Sequence, residues 1–168
     1  MGFEEHKKHA HGPVNCAVIT VSSTRSQEDD ISGKTITSLL ESKGNTVVHY
    51  AIIKDDIELI REEVEKNLVN GEVQAIIING GTGIGGGDVT IEAIKPLMQK
   101  ELVGFGELFR YLSYKEIGSP AIMSRAMAGV AGGKIAICLP GSTNACTLAM
   151  ENLVLPELGH MVHEIGKK

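Results

Sequence analysis

The chain has 168 residues, with 21 acidic against 16 basic side chains, a formal net charge of -5 and an aromatic complement of three Phe and three Tyr. That length suits one domain with a real core, and the acidic balance with few aromatic residues argues against nucleic acid as the main partner. No apolar run reaches membrane-spanning length and no signal-peptide pattern opens the chain, so a cytoplasmic protein without membrane attachment is expected.

Residues 1–13 include Glu4-Glu5-His6-Lys7-Lys8-His9-Ala10-His11, which is polar and without periodicity. They are expected to form a flexible tail, leaving residues 14–168 as a single domain. The tail histidines could bind a metal, but nothing nearby in sequence would fix their geometry. Cys16 and Cys138 fall in predicted strands and Cys146 near a predicted helix start. With an odd total and no Cys-x-x-Cys spacing, they read as reduced, packed thiols.

Ala17-Val18-Ile19-Thr20-Val21 is a short β-branched run, expected as a strand buried on both faces. It ends in Ser22-Ser23-Thr24-Arg25, whose hydroxyls are equally well read as ligand-facing groups or as ordinary loop residues. Ser32 is the expected N-cap of a helix that turns Ile36, Leu39 and Leu40 inward and stops at Gly44. A second strand spans 46–53, and Lys54-Asp55-Asp56 then opens a helix with Ile57, Ile60, Val64 and Leu68 on one stripe. Asp55 and Asp56 both sit where a capping carboxylate belongs, and spacing alone favours capping for each.

The third strand, 73–78, leads into Asn79-Gly80-Gly81-Thr82-Gly83-Ile84-Gly85-Gly86-Gly87-Asp88-Val89-Thr90, with Thr90 expected to cap a helix beginning at Ile91. Glycine at Gly80, Gly81 and Gly83 lets backbone N–H groups approach a ligand, and a helix N-terminus adds partial positive charge, which together suit phosphate. A Walker loop would need Gly-Lys-Ser/Thr where Gly87-Asp88 stands. The dinucleotide pattern is met by Gly81-Thr82-Gly83-Ile84-Gly85-Gly86, but after the third strand rather than the first, which weakens an NAD-dependent oxidoreductase reading. Two readings stay open: a phosphate loop whose closing carboxylate holds a divalent cation, and a structural turn.

Pro96 should shorten or kink the helix after Thr90. Residues 106–117 read as a helix with Leu108, Phe109 and Leu112 as core face, where Glu107 would favour the helix dipole. The stretches 126–130 and 134–139 flank Gly132-Gly133, a hairpin signal, with a helix through Ala131 as the competing reading. Leu139-Pro140-Gly141-Ser142 makes a second strand-loop-helix junction, with Ser142 as cap, and both junctions are expected to reach one pocket. Pro156 restarts a final helix with Leu158, Met161, Val162 and Ile165 inward, and its His160 and His163 read as surface or interface residues.

Gly80-Gly81-Thr82-Gly83 with Asp88 and Thr90, Gly104-Phe105-Gly106-Glu107, Ser124-Arg125 and Leu139-Pro140-Gly141-Ser142 occur in one order. On these motifs the chain resembles the MoaB/Mog family of molybdenum-cofactor biosynthesis proteins, relatives of the gephyrin G domain, from about Val14 to Leu158. The resemblance implies an α/β fold, a three-layer αβα sandwich with a mixed, mostly parallel sheet, in a homotrimer serving molybdenum or tungsten cofactor synthesis. It implies Mg2+-dependent adenylylation of molybdopterin by ATP, other pathway proteins being possible partners. Asp55 and Asp88 would hold Mg2+, Gly80, Gly81, Thr82 and Gly83 phosphate, and Ser22, Ser23 and Thr24 the nucleotide side. Glu107, Ser124, Arg125, Gly141 and Ser142 would line the pocket. Adenylylating relatives commonly carry a basic residue just before the aspartate, and Ile84-Gly85-Gly86-Gly87 has none, which resembles the MoaB branch. Asp55 favours an active enzyme, and a trimer that holds molybdopterin or a pathway partner without turnover is the alternative.

Overall fold

The computed structural model describes residues 12–167, so His6, His9 and His11 lie outside the described residues. β1 (Asn15–Val21), β2 (Thr46–Ile53) and β3 (Ala75–Asn79) alternate with α1 (Ile31–Ser42) and α2 (Ile57–Val69). The short α3 (Thr90–Ile94) and β4 (Lys100–Glu101) precede α4 (Val103–Ile117). The hairpin β5 (Met127–Ala131) and β6 (Lys134–Leu139) leads to α5 (Thr143–Ala149), which runs through a π-helical turn into α6 (Leu155–Gly166).

The six strands form one sheet in the order β2-β1-β3-β6-β5-β4. β2, β1, β3 and β6 run parallel, whereas β5 pairs antiparallel with both β6 and β4. The Gly132-Gly133 turn, with φ of 54° and 72°, closes the β5–β6 hairpin and removes the helical alternative through Ala131.

Side chains alternate across the central strands and build a core on each face. Val18, Ile77 and Ile137 pack with Ile36, Leu40, Phe109, Cys146 and Leu158 beneath α1, α4, α5 and α6. Ile19, Ile76 and Ile78 pack with Ile60 and Val64 of α2 and Ile94 of α3 on the other. The result is the expected three-layer αβα sandwich, and each fully buried isoleucine contributes about 1.5–3 kcal/mol. The three cysteines are free and buried, and burial pushes their thiols up to about 12, so they stay protonated.

Several local expectations are corrected. Asp30, not Ser32, caps α1, accepting from Gly33 N. Asp56 alone caps α2, accepting from Glu58 N and Leu59 N at 3.0 Å each, so Asp55 is not the cap. Thr90 is already helical and its hydroxyl donates to Gly80 O at 2.8 Å instead of capping α3. On α4, Phe109 and Ser113 are buried while Leu108 is exposed, because Gly106 and Phe109, not Leu108, face the sheet.

Candidate functional site

β1 connects to a neighbour on one side and β3 lies on the other, so a crevice opens beyond their carboxyl ends. The loops after β1, β2, β3 and β6 meet there around a cleft of about 500 Å³. It brings together Ser22, Ser23, Thr24, Asp55, Gly80, Gly81, Thr82, Gly83, Asp88, Ser124, Arg125 and Gly141. Glu107 does not line it and is exposed on α4, and Ser142 stands just outside, capping α5 through Ala145 N at 3.3 Å. A larger hollow of about 890 Å³, lined by Leu39, Lys43, Leu155 and His160 among others, takes no residue from the glycine loop.

The loop is shaped by Gly80 and Gly81, with φ of 94° and 63°. Gly80 N donates to Leu139 O at 3.0 Å and Thr90 N to Gly81 O at 2.9 Å, tying the loop to β6 and α3. The N–H groups of Gly81, Thr82 and Gly83 find no acceptor among the described residues, although Thr82 is buried. Unpaired backbone donors at a cleft are a ready anion cradle. With only five residues, α3 adds little dipole to it.

The two aspartates border this cradle. Asp55 Oδ2 accepts from Ser23 Oγ at 2.7 Å, and Asp88 Oδ2 accepts from Gly85 N at 2.9 Å. A Cβ on Gly81 would sit 3.1 Å from Asp55 Oδ1, and one on Gly83 would sit 2.6 Å from Asp88 Oδ2. Each carboxylate therefore flanks a glycine, and its Oδ1 has no hydrogen-bond partner among the described residues. Two such oxygens suit a hard cation, and with no group of three or more His, Cys, Asp or Glu among the described residues, waters and phosphate would complete the shell.

Ser22 is a loop former: its hydroxyl accepts from Thr24 N at 3.3 Å and Arg25 N at 3.2 Å. Arg125 spans the cleft wall, donating from Nε to Thr82 O at 2.8 Å and pairing with Glu92. The Arg125 hydrogen bond holds the Glu92 carboxyl below its usual range. Arg25, Met123 and Pro140 also line the cleft, and sequence reasoning had given them no role.

Behind the cleft Asp30 is fully buried. Burial alone would raise its pKa, but hydrogen bonds from Thr20, Tyr50, Gly33 and Ser32 outweigh that and hold it below 3.8. A depressed folded-state pKa stabilises the fold above the unfolded value, and that stability is lost as pH falls through the folded one. Asp30→Asn is therefore expected to lower stability near about pH 7 and to converge on wild type as pH drops below 3.8, followed by urea unfolding. A constant gap between the two proteins would remove the ionised carboxylate from the account.

Residues 17–160 match the family described as probable molybdopterin binding domain. The chain belongs to the MoaB/Mog family. The molybdenum cofactor biosynthesis protein B of Bacillus subtilis (strain 168) is 51% identical over 168 residues, 99% of each chain. A crystal structure of a molybdenum cofactor biosynthesis protein B superposes with a TM-score of 0.92 at 46% identity, over 94% of this chain and 99% of that one. The MoaB of Pyrococcus furiosus, described as a tungsten cofactor synthesizing protein, gives 0.81 at 35% identity, over 92% and 98%. The mixed sheet described above is thus that of a MoaB-branch member. No helix among its described residues is long and apolar enough to cross a membrane.

Proposed function

We propose that the protein acts in molybdenum or tungsten cofactor biosynthesis by adenylylating molybdopterin with MgATP, giving adenylyl-molybdopterin and pyrophosphate. The observation that supports this best is the row of unpartnered N–H groups at Gly81, Thr82 and Gly83 between the carboxylates of Asp55 and Asp88. In the reaction a terminal phosphate oxygen of molybdopterin bonds to the α-phosphorus of ATP as the bond to the β-phosphate oxygen breaks. That phosphate is already largely ionised at neutral pH, so neither aspartate need serve as a base. Magnesium, when bound through Asp55 and Asp88, supplies positive charge between two anionic groups. The loop N–H groups hold phosphate oxygens, and Ser23 keeps Asp55 turned toward them.

The test is pyrophosphate release by the purified chain, expected only when ATP, molybdopterin and Mg2+ are all present. A second reading, a trimer that binds molybdopterin without turnover, is favoured by one feature: residues 84–87 place no cation beside Asp88. Molybdopterin binding with no pyrophosphate release would select it.

Assembly is part of either reading. Val103, Leu108, Tyr111, Tyr114 and Ile117 of α4, and Ile122 after it, are exposed large apolar side chains. Apolar side chains exposed along one helix suit an interface. A stable homotrimer is expected in light scattering at neutral pH, unchanged by reductant because the cysteines are buried and free. A monomer at micromolar concentration would contradict the assembly and leave the cleft chemistry standing.

A further inference from the structure

The cleft is lined by two arginines whose partners divide their roles. Arg125 is closed. Its Nε–H donates to Thr82 O at 2.8 Å, and its terminal nitrogens donate to both carboxylate oxygens of Glu92, at 2.5 Å and 3.2 Å. A bidentate carboxylate takes up most of what a guanidinium can offer an incoming anion.

Arg25 donates its hydrogen bonds to neutral acceptors instead, and its ion pair is with the buried carboxylate of Asp30. Nη1 donates to Ser32 Oγ at 2.6 Å and Nη2 to Gly141 O at 3.0 Å. A guanidinium has about five N–H donors. The Nε–H and one hydrogen on each terminal nitrogen of Arg25 therefore keep no hydrogen-bond acceptor among the described residues. Asp30 lies 3.6 Å from Nη1, and its charge is already engaged by Thr20, Tyr50 and Gly33 N. Arg25 faces the cleft with more of its N–H donors left open than Arg125.

Its aim is fixed from behind. Ser32, which accepts from Arg25, shares its hydroxyl proton between Asn79 Oδ1 at 2.9 Å and Asp30 Oδ1 at 3.3 Å, and the Asn79 amide donates to Thr20 Oγ1 at 2.9 Å. Asn79 is the last residue of β3 and directly precedes the glycine loop. One buried polar network of Thr20, Asp30, Ser32 and Asn79 thus sets the guanidinium relative to the cradle.

We propose that Arg25 is the phosphate-binding cation of this cleft, that Asp30, Ser32 and Asn79 are positioning residues for it, and that Arg125 is a tie holding the glycine loop. The proposal rests on the reading that the cleft takes phosphate-bearing substrates. A phosphate of the nucleotide or of the pterin has the required chemistry, and titration with each separates them.

Calorimetric titration of the full chain with MgATP, and separately with molybdopterin, tests it. Arg25→Gln is expected to weaken one ligand by about tenfold or more, the scale of a charge-assisted hydrogen bond, with Arg25→Lys recovering part of the loss. Loss toward MgATP assigns a nucleotide phosphate to Arg25, and loss toward molybdopterin alone assigns the pterin phosphate. Glu92→Gln, which releases Arg125 from its counter-charge, is expected to tighten neither ligand. Ser32→Ala should weaken the same ligand as Arg25→Gln but add nothing in the Arg25→Gln background, whereas a merely structural serine would cost the same in both. Unchanged binding in Arg25→Gln, or tighter binding in Glu92→Gln, overturns the proposal alone. Failure of the wild-type chain to bind either ligand overturns the phosphate reading of the cleft and this proposal with it.

Discussion

Asp88→Asn is expected to lower molybdopterin-dependent pyrophosphate release by about a hundredfold or more, and Asp55→Asn by a similar factor. The amide keeps the size of the carboxylate and one acceptor oxygen. Gly85 N can still donate to residue 88, and the Ser23 hydroxyl to residue 55. What goes is a negative charge at each edge of the cradle, where in the proposed reaction a divalent cation would offset two phosphate groups. Stability separates this from a structural role: Asp56 and not Asp55 caps α2, so Asp55→Asn should leave the urea midpoint nearly unchanged. Full turnover in both variants would remove the metal-holding roles, whatever else the cleft binds.

How much of this was legible in the sequence depends on whether the signal was local. Ile76-Ile77-Ile78 could only be buried on both faces, and the turn at Gly132-Gly133 needs positive φ twice, so the central strand and the hairpin were readable from neighbours alone. Helix caps were misread by a residue or two because Asp30 and Ser32 are both good caps. The choice between them is made by Thr20 and Tyr50, which come from β1 and β2 to meet Asp30. Thr90 was misread for the same reason, since its partner Gly80 O is ten residues back, across the loop.

The site divides along the same line. The glycines and Asp88 are contiguous and carried their own spacing, whereas Asp55 was recoverable only through the family resemblance, its partner Ser23 lying 32 residues away. Arg25 gave no signal at all. It is one basic residue in a polar loop, and what sets it apart is Ser32 on one side and Gly141, 116 residues away, on the other. Glu107 is the converse case: the resemblance suggested it for the pocket, and it lies exposed on α4 outside the cleft lining.

The glycine loop makes the last expectation sharp, because one of its glycines is confined and another is not. Gly80→Ala is expected to destabilise the fold by about 2–5 kcal/mol, combining a left-handed backbone with overpacking. At φ of 94°, the added Cβ would lie 2.2 Å from Val21 O, a backbone atom inside the parallel sheet. Relaxation is blocked, since Gly80 N is bound to Leu139 O, Gly80 O receives the Thr90 hydroxyl, and Gly141 packs so closely that its own Cβ would lie 3.2 Å from Gly80 Cα. Gly86 has no atom within 4 Å of a built Cβ and no positive φ, so Gly86→Ala should stay within about 0.5 kcal/mol of wild type. Urea unfolding of the two variants side by side tests the difference. Equal stability would mean that the loop yields freely around Gly80, and a cradle that yields could not hold three N–H groups in register for a phosphate.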